Sequence, residues 1–362
     1  MKNESILIVT ECFAGGVYNY LINFNKYLSD QGMDVTILAG TKKETPLKEV
    51  LKNDFLDAEI ITVNMEKRNL KSLRKFRYEL LSLSKKIDFD IIHLHSSFAG
   101  YIGRTLKEIK YSKKFYTPHG YSFLQLNKPL KSSIFKRIEK SINIFDKKTT
   151  TIAISNSEFE LANSIKANAK IVKTGLVLDE KLEFKDENKN TPVKKILSIG
   201  RLAPQKNPNL FIEIAKKMPD YEFIWIGDGP LNNEFLKSIK VHKLTNVKCT
   251  GWLNKDEVKE FINKEDYIFL QTSLWEGLPL TLLEAQLAAL PLVVKNSYGN
   301  VDVIKDGKNG YICDNINEFI HAIEILSKRE EYIKMSNRSI INAENNYNFF
   351  NNIKILREIY EK

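Results

Sequence analysis

Short apolar runs alternating with amphipathic stretches, in two trains separated by a charged interval, restrict this chain more than any other feature. Ser5-Ile-Leu-Ile-Val-Thr10 is short and apolar on both faces, as a strand of a parallel sheet is when helices cover both its sides. A helix through Tyr18 to Phe24 follows, and further strands are expected at 34–38, 60–63, 91–95, 114–117 and 151–155. The second train starts at Lys195-Ile-Leu-Ser-Ile199 and continues at 221–226, 247–250, 267–271 and 292–294. Strands spaced by helical stretches give parallel sheets with helices as crossovers.

Between the trains, Asp179 to Pro192 is charged, polar and poor in core residues, which is the composition of a linker. The expected organisation is a Rossmann-like domain over residues 1–176, a linker over 177–193, a second Rossmann-like domain over 194–345 and a closing helix over 346–362. Open α/β sheets bind ligands beyond the C-terminal ends of their strands. Two facing domains of this kind predict an interdomain cleft, with the chemistry in strand-to-helix loops from both halves.

Composition narrows the class. A chain of 362 residues, 43% of them hydrophobic, suits two domains of ordinary size. No apolar run approaches the roughly 20 residues of a spanning helix, and the start lacks a signal-peptide core. Cys12, Cys249 and Cys313 are odd in number and scattered, so neither a disulfide framework nor a cysteine zinc site is indicated, and a cytoplasmic location is expected. The net charge of +10 is uneven: residues 1–176 carry 29 Lys and Arg against 18 Asp and Glu, and the remainder is nearly balanced. No zinc-finger spacing or aromatic RNA-binding signature accompanies that excess, so no nucleic-acid partner is expected; an anionic membrane surface or a phosphorylated lipid suits it better.

The stretch Ser273-Leu-Trp-Glu276-Gly277-Leu278-Pro279-Leu280-Thr-Leu-Leu-Glu284-Ala follows a strand and enters a helix near Leu280. Pro279 is tolerated near a helix start, and the free N–H groups of that start form a ready anion site. Glu276 then lies in the loop and Glu284 about one turn into the helix. The stretch resembles the Glu-x7-Glu signature of the GT-B glycosyltransferases, specifically the retaining family 4, with the same Glu-Gly-x-Pro opening. The resemblance places Glu276 by the donor sugar and Glu284 at the ribose hydroxyls, with residues 277–280 lining the donor. Neither carboxylate is then the general base; they form a positioning pair.

Other motifs resemble the family in its own order along nearly the whole chain. Glu11-Cys-Phe-Ala-Gly15-Gly16 after the first strand is similar to the glycine loop beneath the donor phosphates, and it lacks the Gly-x-Gly-x-x-Gly pattern of dinucleotide binding. Gly200-Arg201-Leu-Ala-Pro-Gln-Lys206-Asn puts two cations past a strand, and the resemblance assigns Arg201 and Lys206 to the diphosphate. Fixed cations there stabilise the charge that grows on a departing nucleotide. Gly227-Asp-Gly-Pro230 and Gly251-Trp252-Leu253 look like the family's base-binding wall, and structural turns are an equal reading of them.

In Thr117-Pro118-His119-Gly120 the backbone-breaking neighbours predict an exposed His119 in a loop, and its resemblance to the family's active-site histidine loop implies contact with substrate. His93 and His95 share one strand face, and packed or hydrogen-bonded rings are expected there. The segment from Lys128 to Lys148 has helical apolar spacing at Leu130, Ile134, Phe135, Ile138, Ile142 and Phe145, interleaved with Lys131, Lys136, Arg137 and Lys140. It suits either a membrane surface or packing against the sheet, and Leu70 to Ile87 is a second basic candidate.

The resemblance implies a retaining glycosyltransferase that moves a sugar from a nucleotide-diphosphate donor, a UDP-sugar for preference, to the hydroxyl of a saccharide or lipid-linked acceptor in bacterial capsule or surface-polysaccharide synthesis. His119 and Glu276 are its catalytic residues, at the inner face of the membrane. No Asp-x-Asp motif follows a strand, so no metal or other cofactor is expected. A nucleotide-sugar 2-epimerase of the same fold, or a non-catalytic glycosyltransferase-like partner protein, is the alternative.

Overall fold

The buried apolar runs form two parallel sheets. The computed structural model describes residues 3–67, 69–125, 128–178 and 191–362. The chain divides into one unit of Met1–Val177 with Phe349–Lys362 and a second of Leu178–Asn348. Most of the expected linker, residues 179–190, lies outside the described residues.

In the first unit the order is β1 (Ser5–Thr10), α1 (Gly15–Asp30), β2 (Asp34–Thr41), α2 (Lys48–Asp54), β3 (Ala58–Asn64), α3 (Leu70–Lys86), β4 (Phe89–His95), α4 (Ser97–Thr105), β5 (Tyr111–Thr117), α5 (Pro129–Phe145), β6 (Thr150–Ala153), α6 (Asn156–Ser164) and β7 (Ala169–Ile171). The sheet runs β3-β2-β1-β4-β5-β6-β7, all parallel. The second unit has β8 (Lys195–Ile199), α7 (Pro208–Lys217), β9 (Glu222–Ile226), α8 (Asn232–Val241), β10 (Val247–Gly251), α9 (Lys255–Lys264), β11 (Ile268–Gln271), α10 (Leu280–Leu287), β12 (Leu292–Lys295), α11 (Asn300–Val303), β13 (Tyr311–Cys313), α12 (Ile316–Ser327) and α13 (Arg329–Asn346). Its sheet runs β10-β9-β8-β11-β12-β13, again parallel. The three-residue strands β7 and β13 are too short to show an apolar pattern, which is why sequence reading passes over them.

Both sheets reverse strand order, at β1/β4 and at β8/β11, and such a reversal opens a crevice beyond the strand ends. Register sharpens this in the first unit: Thr10 pairs with His95, and His95 with Thr117, so the loops after β1, β4 and β5 leave from one level.

The final helix, α14 (Phe349–Glu361), belongs to the first unit. Phe349, Ile353, Leu356 and Tyr360 recur every three or four residues and are all buried, in one cluster with Phe24 and Leu28 of α1 and Ile6 and Ile91 of the sheet. Each such side chain contributes about 1.5–3 kcal/mol of transfer free energy.

Helix α5 turns the usual amphipathic logic round. It buries Glu139, Ile142 and Asn143. Leu130, Ile134, Ile138 and Phe145 are exposed, Leu130 and Phe145 by more than four-fifths. The anchor is polar. Arg104 of α4 pairs with Glu139 at 2.6 Å and donates to Asn143 Oδ1 at 2.9 Å, its guanidinium 3.9 Å from the Tyr116 ring centroid. Tyr116 donates to the other oxygen of Glu139 at 3.2 Å. Packing against the sheet therefore accounts for Ile142 but not for the stripe at 130, 134 and 138. Helix α3 is ordinary by contrast, with Phe76 and Leu80 inside and its lysines and arginines outside.

Because the Arg104–Glu139 pair is almost wholly desolvated, deleting one partner strands the other. Arg104→Met should lower the stability of the first unit by about 3–5 kcal/mol in chemical denaturation, and a loss under 1 kcal/mol would show that the pair does not anchor α5.

Candidate active site

In the second unit the loops after β8 and β11 are stitched together at the strand-order reversal. Pro204 to Lys206 form one tight turn, Asn207 turns left-handed at φ 51°, and Pro208 opens α7. Leu274 N–H donates to Gln205 O at 2.8 Å, and Thr272 Oγ1 donates to Lys206 O at 2.8 Å. These bonds bring Lys206 Nζ within 2.7 Å of Glu276 Oε1, both side chains mostly buried. Gln205 Nε2 donates to Glu276 Oε2 at 3.0 Å, and Gln271 Nε2 approaches Oε1 at 3.4 Å. Glu276 N–H donates to Tyr298 O at 2.8 Å.

Glu276 is thus an anion held on three sides by donors, and Lys206 is paired with it directly. Sequence reading puts Lys206 and Glu276 in one site but misses their direct pairing. It also misses Gln205 and Gln271, because nothing in a neutral amide announces a role before its partner is placed.

Glu284 lies one turn into α10 and is solvent-reached. Burial among surrounding protein raises its carboxyl above the ordinary value, while the charges of Lys255 and Lys206 pull it back. Helix α10 starts at Leu280 as expected, after Pro279, and no side chain caps it. Its first turn is therefore available to an anion. Gly277 is half-buried, and Leu278 and Pro279 are buried beneath the loop. Arg201 is exposed just past β8. Trp252 and Leu253 follow β10, two strands from β8, with the indole 72% exposed.

In the first unit Gly15 opens α1 at φ 57°, with space where a Cβ would sit, and Gly16 follows it in the helix. Glu11, at the head of the glycine loop, is buried and accepts from Ala99 N–H at 3.0 Å, tying the β1 loop to the start of α4.

His119 departs from expectation. It is partly buried rather than exposed, with its Nε2 2.9 Å from His95 Nδ1 and the Tyr20 ring edge-on at 4.9 Å. Desolvation lowers its pKa to about 3, so the ring is neutral near pH 7. The loop is pinned from below, since buried Glu158 accepts from Gly120 N–H at 2.7 Å and from Ile154 N–H at 2.9 Å. His93 and His95 are packed and hydrogen-bonded, as expected: His93 contacts Tyr360 OH at 2.5 Å and Thr117 Oγ1 at 2.8 Å. Two non-glycine residues here have positive φ, Ser96 at 74° and His119 at 52°. Strain of this kind, about 1–3 kcal/mol per residue, persists only where the surrounding structure enforces it. Among the described residues no group of three or more His, Cys, Asp or Glu is placed to hold a metal ion.

Residues 14–178 match the family described as Glycosyltransferase Family 4, and residues 179–346 match Glycosyl transferases group 1. The chain belongs to the GT-B, family 4-like glycosyltransferases. It is 27% identical to an Escherichia coli protein named UDP-Gal:alpha-D-GlcNAc-diphosphoundecaprenol alpha-1,3-galactosyltransferase, over 95% of this chain and 93% of that one. It is 32% identical to an uncharacterized 41.2 kDa protein in the cps region of Klebsiella pneumoniae, over 72% and 74% of the two chains. The crystal structure of Anabaena HepE in complex with UDP and glucose superposes with a TM-score of 0.79 over 99% of this chain and 100% of that one, at 16% identity.

In the glycosyltransferase Gly299 approaches Glu276 closely: its φ is 86°, and an added Cβ would stand 2.7–2.9 Å from Glu276 Cβ and backbone. Gly307 also has positive φ, 66°, but open space around it. Gly299→Ala should cost about 2–5 kcal/mol in chemical denaturation, and Gly307→Ala about 1–2 kcal/mol. Equal losses would show that the Glu276 contact is not tight.

Proposed function

We propose that this glycosyltransferase moves a sugar from a UDP-sugar to a hydroxyl of a lipid-linked saccharide, with retention of anomeric configuration, in bacterial capsule or other surface-polysaccharide synthesis. The observation that carries the reading is the Lys206–Glu276 pair, braced by Gln205 and Gln271 at the β8/β11 reversal and followed directly by the uncapped start of α10. A nucleotide diphosphate suits this arrangement. Its phosphates meet the N–H groups of the α10 start, with Lys206 and Arg201 of the loop after β8 sharing the charge.

As the bond from the sugar to the diphosphate breaks, negative charge grows on the leaving oxygen. Cations and N–H groups already in place stabilise that state more than the ground state. Glu276, with both oxygens already engaged, is a poor nucleophile and a poor base, and serves instead to position the donor sugar. Retention then follows from attack on the face the diphosphate leaves, a donor phosphate oxygen taking the acceptor proton. Glu284 accepts from the ribose hydroxyls, Trp252 and Leu253 border the base, and His119 touches substrate. The proposed chemistry uses no metal, because Lys206, Arg201 and the helix start supply the positive charge.

The E. coli relative's name supports a UDP-sugar donor and a diphosphate-linked lipid acceptor, and the Klebsiella relative's cps region supports a capsule role. Helix α5 supports work at a membrane surface. Its exposed Leu130, Ile134 and Ile138 form one stripe four residues apart, with exposed Lys131, Arg137 and Lys140 beside it. A helix with that face lies in an interface rather than across one, and no described helix is long and apolar enough to cross a membrane. The inner face of the cell membrane is the proposed location.

UDP and a matching UDP-sugar should raise the melting temperature by mass action, and the product should keep the donor's anomeric configuration by NMR, with turnover unaltered by EDTA. Glu276→Gln should slow transfer by about 100-fold with UDP affinity little changed, and Glu284→Ala should weaken UDP binding itself. An inverted product, or no melting shift with any nucleotide or nucleotide-sugar, would sink the reading.

Separately, the protein should sediment with vesicles containing anionic phospholipid. Ile134→Ser combined with Lys136→Ala, Arg137→Ala and Lys140→Ala should weaken that by about 10-fold or more, and unchanged sedimentation would remove α5 from membrane contact.

A further inference from the structure

The histidine pair in the first unit carries a consequence for proton placement. His95 Nδ1 and His119 Nε2 are 2.9 Å apart, with the rings inclined by 22° and centroids 5.2 Å apart, a separation that fits a bond lying near both ring planes. Burial keeps both rings neutral near pH 7, so a single N–H lies between two nitrogens and one ring must donate to the other.

The other nitrogen of His95 decides which. His95 Nε2 is buried and has no hydrogen-bond partner among the described residues, enclosed by the rings of Tyr20, Phe24 and His93. If His95 accepted from His119, its own proton would sit on Nε2 as a buried orphan donor, the rarest kind of unsatisfied group. If His95 donates through Nδ1, only an unused lone pair is left there. Donation by His95 makes His119 Nε2 the acceptor and moves the His119 proton to Nδ1, the nitrogen that lies outside the pair.

We infer that His95 is a positioning residue that fixes His119 in its Nδ1–H form, so that His119 meets the transferring sugar as a hydrogen-bond donor and not as a base. This rests on the placing of His119 at the substrate proposed above. It agrees with a reaction in which the acceptor proton goes to a donor phosphate oxygen, since a neutral ring protonated on its outward nitrogen has no lone pair there to take it.

Nitrogen-15 NMR of histidine-labelled protein reads the proton position without any turnover. The wild type should show His119 protonated on Nδ1 and His95 on Nδ1, and in His95→Leu the Nε2–H form of His119 should gain. UDP release from UDP-galactose, or from UDP-glucose if that is the donor turned over, should fall in kcat by about 10- to 100-fold in His95→Leu, with KM for the donor within about twofold. His95→Asn, whose amide N–H can stand where the Nδ1–H stood, should recover most of that loss. A wild-type His119 protonated on Nε2 overturns the inference, and this readout needs no variant to fold. So does an unchanged kcat in His95→Leu when His119→Ala lowers it. If His119→Ala itself leaves kcat unchanged, the placing of His119 at substrate fails, and this inference falls with it.

Discussion

A parallel strand cannot reach its neighbour through a tight turn; the chain must cross back, here through helices, before the next strand begins. That constraint governs the rest of the molecule. It sends every strand-to-helix loop to the same edge of its sheet, and the strand-order reversals at β1/β4 and β8/β11 part those loops and leave room for ligand. Glu11, His95 and His119 in one unit, and Lys206 and Glu276 in the other, all lie at or just beyond such strand ends.

The two units use that edge differently. In the second, charges are brought together and paired: Lys206 against Glu276, two glutamine amides around the carboxylate, and a helix start beside it. The arrangement offers fixed dipoles and charges to a ligand that is itself highly charged, which suits nucleotide-sugar chemistry in a glycosyltransferase. In the first, the edge holds neutral imidazoles among tyrosine and phenylalanine rings, with buried Glu11 and Glu158 spent on backbone N–H groups. Burial that depresses an imidazole pKa suits hydrogen bonding at fixed protonation better than proton exchange.

Much of the fold could be read in the chain because its signals are local. Eleven of the thirteen strands among the described residues show as short strand-like runs in the sequence; β7 and β13, three residues each, carry too little pattern. The start of α10 at Leu280 is legible from Pro279, and the order of the motifs places the site. The inversion of α5 is not legible: its apolar spacing is that of a packed helix. Only the contacts of Glu139 with Arg104 and Tyr116 show that Glu139 faces inward while the stripe at 130, 134 and 138 faces out. The exposure of His119 is misjudged for a similar reason, since neighbouring Pro118 and Gly120 predict a loop but say nothing of the Tyr20 and His95 rings that close over it.

What the chain by itself determines is the set of elements, their parallel arrangement and the family, because hydrophobic period, turn residues and short motifs are properties of neighbours in sequence. Tertiary structure alone decides which polar groups meet. Lys206 and Glu276 are 70 residues apart, His95 and His119 are 24 apart, and Tyr360 reaches His93 across 267. Each meeting depends on strand order and register, and a hydrogen bond of about 3 Å tolerates no error in either, whereas an apolar run tolerates a good deal.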